Sequence, residues 1–191
     1  MSLELYMGPM FAGKSSSIIS ILRRNYFIRR STLCITHSLD TRYSEEGRVV
    51  SHDKESYPAI SISNLISLIN TTSFTDAQCI IIDEAQFFPD LKLFVLEAVD
   101  IYNKDVICVG LDGDSERKPF GQLVDLVPHA DNITKFKAFC THCNDGTRAI
   151  FSYRRHGVPL TQISIGANEQ YEALCRKHYL AARKLDLETP M

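Results

Sequence analysis

From Ser2 to Met7 apolar and polar residues alternate, the period-two pattern of a short strand. A helix-like run begins at Ser15-Ser16-Ser17-Ile18-Ile19, and Ser31 to Thr36 predicts a second strand. His37 to Tyr57 is a long polar connection with a single glycine, a kind of segment that is often functional. Pro58 to Ile62 predicts a short strand, and Ser63 suits the cap of a helix running through Ile69. Cys79-Ile80-Ile81-Ile82-Asp83 is nearly continuous apolar sequence, as in a strand buried on both faces. Leu91 to Tyr102 has helical periodicity, and Val106 to Leu111 predicts another buried strand. Strands alternating with helices predict an α/β fold: a mostly parallel sheet flanked by helices, joined by right-handed crossovers. Near Phe139 the pattern changes, and glycine, proline and short alternating runs up to Tyr171 predict a small β-rich module. The expected division is an α/β unit over residues 1–138, a module over 139–180 and a tail over 181–191.

The first strand runs into Gly8-Pro9-Met10-Phe11-Ala12-Gly13-Lys14-Ser15, a complete G-x-x-x-x-G-K-[ST] phosphate-binding loop. At ordinary glycine usage such a match arises by chance in on the order of one chain in a hundred. Its position between a strand and a helix gives it a mechanism. The loop can turn its backbone N–H groups onto a phosphate, beside the positive end of the helix dipole. Lys14 then reaches the β/γ-phosphates and the Ser15 hydroxyl can ligate Mg²⁺. The chain is expected to bind a nucleoside triphosphate.

Composition narrows the class. The 191 residues allow one ordinary domain and a small appendage, and 45% hydrophobic residues support a packed core. A net charge of −2 argues against a general nucleic-acid binder. The sequence has no apolar stretch of membrane-spanning length, and Met1-Ser2-Leu3-Glu4 does not read as a secretory signal. Cys34, Cys79 and Cys108 lie in apolar strand-like runs and read as buried free thiols, which favours a reducing, cytoplasmic setting.

Asp83-Glu84-Ala85-Gln86 follows the buried strand directly, at the end where parallel sheets bind ligands. Asp83 is the candidate for holding Mg²⁺ beside Ser15, and Glu84 is placed to act as a general base. Two classes share these parts. In a helicase-type ATPase such a glutamate activates water, but a helicase needs two α/β domains and a basic groove, for which this chain is too short and too acidic. In a small-molecule kinase it deprotonates a substrate hydroxyl.

Four further segments separate the classes: Asp40-Thr41-Arg42-Tyr43, His52-Asp53, Asp83-Glu84-Ala85-Gln86-Phe87-Phe88, and Leu111-Asp112-Gly113 continuing to Arg117-Lys118-Pro119-Phe120-Gly121. With the phosphate loop, they resemble the type II thymidine kinase family in order and spacing, from Met7 to about Tyr179. The resemblance implies ATP-dependent phosphorylation of the 5′-hydroxyl of thymidine, with a deoxynucleoside kinase of broader base specificity or a P-loop ATPase switch or motor as the alternatives. It implies that Glu84 is the general base, acting with Lys14 and Arg42. It places Asp40, Thr41 and Arg42 near the phosphates, and makes the acidic motif Asp83, Glu84, Ala85 and Gln86 part of the ATP and Mg²⁺ site. Met10, Phe87, Leu111 and Phe120 match residues lining the nucleoside pocket. A homotetramer and feedback inhibition by dTTP are also implied by the resemblance alone.

Cys140-Thr141-His142-Cys143 and Cys175-Arg176-Lys177-His178 form two x₂-spaced ligand pairs. Cys140, Cys143, Cys175 and His178 make a closed Cys₃His set suited to structural Zn²⁺, leaving His142 a surface role. The resemblance makes this module a lasso that closes over thymidine through Gln162-Ile163-Ser164-Ile165-Gly166, with Tyr171 as its tyrosine and Ser152 facing the pocket. Two positions depart from the family pattern. Ser115 stands where a phenylalanine usually packs on the nucleoside, and Ala167 where a second glycine often follows Gly166.

Overall fold

The computed structural model describes residues 1–39, 48–50, 56–155 and 170–188. Strands β1 (Ser2–Met7), β2 (Thr32–His37), β5 (Ile60–Ile62), β6 (Cys79–Ile82), β7 (Asp105–Gly110) and β8 (Asn132–Lys135) form one sheet, in the order β5-β2-β6-β7-β1-β8. Every pairing in it is parallel. All six strands therefore end at one edge, where an open α/β sheet presents its ligand crevice. A separate antiparallel pair, β3 (Arg48–Val50) with β4 (Ser56–Pro58), occupies part of the polar connection.

The alternation within each strand divides the core between the two faces of the sheet. Leu3, Leu5, Met7, Leu33, Ile35, Ile80 and Ile82 join one buried cluster. Cys34, Cys79, Ile81, Ile107 and Val109 join the other, beneath Ile18, Ile21 and Leu22 of helix α1 (Lys14–Phe27). The strand β6 is buried at all four positions, as its unbroken apolar run requires. The three thiols Cys34, Cys79 and Cys108 are buried and free, and burial raises each above its ordinary thiol pKa.

Local differences from the sequence pattern have local causes. No helix starts at Ser63. A 3₁₀ turn at Ile66–Leu68 stands there, with its first N–H bonded to Asp90 Oδ2 at 2.9 Å, and the short helix α2 (Thr72–Asp76) is capped by the Thr71 hydroxyl. The helix predicted over Leu91 to Tyr102 is α3 (Leu91–Leu96), which widens into a π-helical turn over Glu97–Ile101. The edge strand β8 leaves no mark in the sequence pattern, because its four residues are mostly exposed and carry no apolar run.

Beyond the sheet, β9 (Ala138–Phe139) pairs with β10 (Arg148–Ala149), and β11 (Phe151–Arg154) with β12 (Tyr171–Leu174). Helix α4 (Arg176–Glu188) follows directly. These elements share their own small core: Ala138, Ala149, Tyr153, Ala173, Leu174 and Tyr179 with Cys140 and Cys175. Phe11 and Ala12 of the phosphate loop pack against that core. Among the described residues no helix is long and apolar enough to cross a membrane.

Candidate functional site

The phosphate loop leaves β1 at Gly8, whose N–H donates to Gly110 O at 3.3 Å. A side chain at Gly8 would meet the Phe136 carbonyl oxygen at 2.5 Å, so this close approach requires glycine. Phe11 and Gly13 both take positive φ, 63° and 83°, and carry the chain around the turn into α1. Lys14 lies back across the loop, donating to the carbonyls of Pro9 at 2.8 Å and Gly8 at 3.2 Å. The Met10 N–H donates to the Ser152 hydroxyl at 2.9 Å, which ties the loop to β11.

The acidic turn leaves β6 two strands away. Asp83, Glu84, Ala85 and Gln86 are all buried. Glu84 sits in the left-handed region at φ 50°, ψ 40°, a conformation that costs a non-glycine residue and is found disproportionately at functional sites. The turn is held by its own side chains. Asp83 Oδ1 accepts from Glu84 N at 2.9 Å, and Gln86 Nε2 donates to Glu84 Oε2 at 2.5 Å. Gln86 Oε1 accepts from Leu111 N at 3.0 Å, so this turn also meets the end of β7. The phosphate loop and the acidic turn thus converge on the two residues Gly110 and Leu111.

Phe87 stands beside them, edge-on to Phe120 with centroids 5.6 Å apart, and 5.8 Å from the ring of His37. Leu111 and Phe120 are the two ends of a loop whose middle closes through a bridge between Gly113 and Pro119. Asp114 Oδ1 fixes that turn by accepting from Glu116 N at 2.8 Å and Lys118 N at 2.9 Å. Ser115, half-buried at the tip, meets α4: its carbonyl accepts from the Tyr179 hydroxyl at 2.7 Å. Arg183 pairs with Glu116 at 2.7 Å, and Arg117 lies over the Tyr179 ring at 5.0 Å. A cleft of about 280 Å³ opens between this loop, Pro9, Lys135, Ile150, Arg176 and β11 at Phe151 and Ser152.

Cys140, Cys143, Cys175 and His178 bring their ligand atoms within 4.8 Å of one another. Cys143 and Cys175 Sγ are 3.8 Å apart, and His178 Nδ1 lies 3.3–3.5 Å from the three sulfurs. A zinc ion with Zn–S near 2.3 Å and Zn–N near 2.0 Å has ligand edges of about 3.8 and 3.5 Å in a tetrahedron. The donor set fits. Burial pushes the Cys140 thiol up, but hydrogen bonds from the Cys175 backbone, the His178 ring and the Cys143 and His142 backbones overcome it and bring it to about 6. Burial, then the neighbouring thiols Cys140 and Cys175, push Cys143 up to about 11. A divalent metal bound among the three sulfurs would take them as thiolates and neutralise their charge. His142 lies outside the cluster and pairs with Glu172 at 3.1 Å.

Of the residues singled out from the sequence, the structure brings Gly8 to Ser15, Asp83 to Phe87, Leu111, Phe120 and Ser152 to this edge of the sheet and its adjoining module. Tyr171 is buried on β12 opposite Arg154. Asp40, Thr41 and Arg42, and the segment Gln162, Ile163, Ser164, Ile165 and Gly166, lie outside the described residues. No motif marked Gly110, Tyr179 or Arg183, whose contacts with Gly8, Ser115 and Glu116 come from elements distant in the chain.

A sequence model of the thymidine kinase family matches residues 1–179. Thymidine kinase a of Arabidopsis thaliana is 37% identical over 182 residues, 94% of this chain and 75% of that protein. A thymidine kinase of Vaccinia virus (strain Western Reserve) is 36% identical over 178 residues, covering 93% of this chain and 96% of that one. The thymidine kinase of Bacteroides thetaiotaomicron is 38% identical over 184 residues, 96% of this chain and 89% of its own. With a phosphate loop, an acidic turn and a Cys₃His cluster within that span, the chain belongs to the thymidine kinase family.

Proposed function

We propose that this chain transfers the γ-phosphoryl group of ATP to the 5′-hydroxyl of thymidine, giving dTMP and ADP. The observation that supports this most is the convergence of the Lys14 loop and the Glu84 turn on Gly110 and Leu111. A phosphate cradle and a carboxylate at one strand end are what in-line phosphoryl transfer to a hydroxyl needs. Glu84 takes the proton of the 5′-hydroxyl as its oxygen bonds to the γ-phosphorus, and the bond to the bridging oxygen of ADP breaks. Lys14 and the loop N–H groups around Gly13 would hold the phosphates, and the family resemblance gives Asp40, Thr41 and Arg42 their roles at the transferred group. Ser15 and Asp83 would hold the Mg²⁺ that accompanies ATP, which supplies charge neutralisation on the phosphates.

Phe87, Phe120, Leu111 and Met10 would receive the sugar and base, and Ser152, Tyr171 and the 162–166 segment would close over them. Zinc in the Cys₃His cluster would hold the foot of that lid. We further assign the kinase unit to residues 1–138 and the lasso module to 139–180 with the tail beyond, and take the working form to be a cytoplasmic homotetramer inhibited by dTTP.

Steady-state assays with Mg-ATP and a panel of thymidine, deoxyuridine, deoxycytidine and purine nucleosides test this reading. ADP formation should require a nucleoside and be fastest with thymidine. Formation of ADP driven by a polynucleotide, indifferent to thymidine, would overturn it in favour of an ATPase motor.

A further inference from the structure

Gln86 is the residue on which the two halves of the site meet. Its side-chain amide is buried, and each end has one partner of the right polarity: Nε2 donates to Glu84 Oε2 at 2.5 Å, and Oε1 accepts from Leu111 N at 3.0 Å. Reversing the amide would set two donors face to face at Leu111 and two acceptors at Glu84, so the contacts fix its orientation. Space around it is made by two glycines. A Cβ at Gly110 would lie 2.3 Å from Gln86 Oε1, and one at Gly121, which also has φ 60°, would lie 2.1 Å from Gln86 O. The residue it grips, Glu84, is the one held in a left-handed backbone.

We propose that Gln86 is a positioning residue: its amide clamps the Glu84 carboxylate to the β7 end that also anchors the phosphate loop. The proposal rests on the reading of Glu84 as the general base. With both ends of the amide engaged inside the protein, Gln86 acts through Glu84 and Leu111 and not as a nucleotide ligand, the role its place in the acidic motif suggested. A base displaced by a fraction of an ångström loses turnover without losing substrate affinity, which separates the two roles.

The test is a cycle of Gln86→Met, Glu84→Gln and the double variant, with Gly110→Ala as a fourth protein that displaces the amide while keeping every site side chain. Gln86→Met should lower kcat roughly 10- to 100-fold, the scale of a misplaced catalytic group, with KM for ATP and thymidine within about threefold. The double variant should be no slower than Glu84→Gln, because a positioned group that is absent cannot be misplaced. Gly110→Ala should reproduce the Gln86→Met loss, and carries the test if that variant does not fold. Unchanged kcat in Gln86→Met or in a folded Gly110→Ala, losses that multiply in the double variant, or a raised ATP KM at normal kcat would each overturn the proposal. Normal turnover in Glu84→Gln would instead remove the base reading on which it stands.

Discussion

Replacing Tyr179 with phenylalanine removes one hydroxyl from the joint between the Cys₃His module and the loop running from Leu111 to Phe120. The ring is almost fully buried and keeps its neighbours: Phe151 at 4.9 Å, Tyr153 at 6.0 Å and the Arg117 guanidinium at 5.0 Å. What is lost is the 2.7 Å hydrogen bond to the Ser115 carbonyl. Such a bond contributes about 1 kcal/mol net, so the melting temperature should fall by about 2–4 °C in a chain of this size. If all of it is felt by the loop, the KM for thymidine rises by about fivefold at most, since 1.4 kcal/mol is tenfold. Tyr179→Ala also deletes the ring and should cost about 3–5 kcal/mol, as other buried aromatics do. Scanning calorimetry, zinc content and steady-state kinetics on the three proteins separate the effects. Zinc content should not change in Tyr179→Phe, because the ligand is its neighbour His178. A melting temperature and thymidine KM equal to the parent's would refute the reasoning and show that the turn at Asp114 holds the loop unaided.

Lys14→Ala should abolish turnover by removing the charge on the phosphates, while Glu84→Gln should bind both substrates and turn over at least ~10²-fold more slowly. Elemental analysis of protein purified without added metal should find one zinc per chain. Cys140→Ser should lose that zinc and melt earlier, and metal-free protein with unchanged melting would count against the site. Ser115→Phe should lower the thymidine KM by restoring a ring worth about 0.5–1.5 kcal/mol; a raised KM would mean that the space beside Ser115 is already filled. Asp105 gives a pH signature. Burial works against its charge, but hydrogen bonds from Ser2 and the N-terminal amine, with the charges of Arg30 and that amine, hold its carboxyl below the ordinary 3.8. Its stabilisation is therefore present above pH 3.8 and lost as pH falls through the lower folded value. Melting curves at stepped acid pH should be flatter for Asp105→Asn, and a parallel curve would remove this contribution.

The centre of the sheet was legible because β2, β6 and β7 are buried on both faces, and an unbroken run such as Cys79 to Ile82 leaves few other readings. The phosphate loop and the two ligand pairs were legible because their chemistry is written in short, fixed spacings. What the sequence hid depends on contacts between distant residues. Gln86 has the same local context whether it faces nucleotide or Leu111, 25 residues on. Tyr179 lies beside a ligand, but its partner Ser115 is 64 residues away. The strand β8 was hidden for another reason: an exposed edge needs no apolar pattern. The turn at Ile66–Leu68 replaces a longer helix because Asp90, not Ser63, supplies its cap.

The most direct test of the account follows the terminal phosphate itself. Purified protein, Mg²⁺, thymidine and ATP labelled at the γ-phosphorus should yield labelled dTMP, one for each ADP formed. Glu84→Gln should give the same product at least ~10²-fold more slowly. Label released as inorganic phosphate, at a rate independent of thymidine, would contradict the central claim.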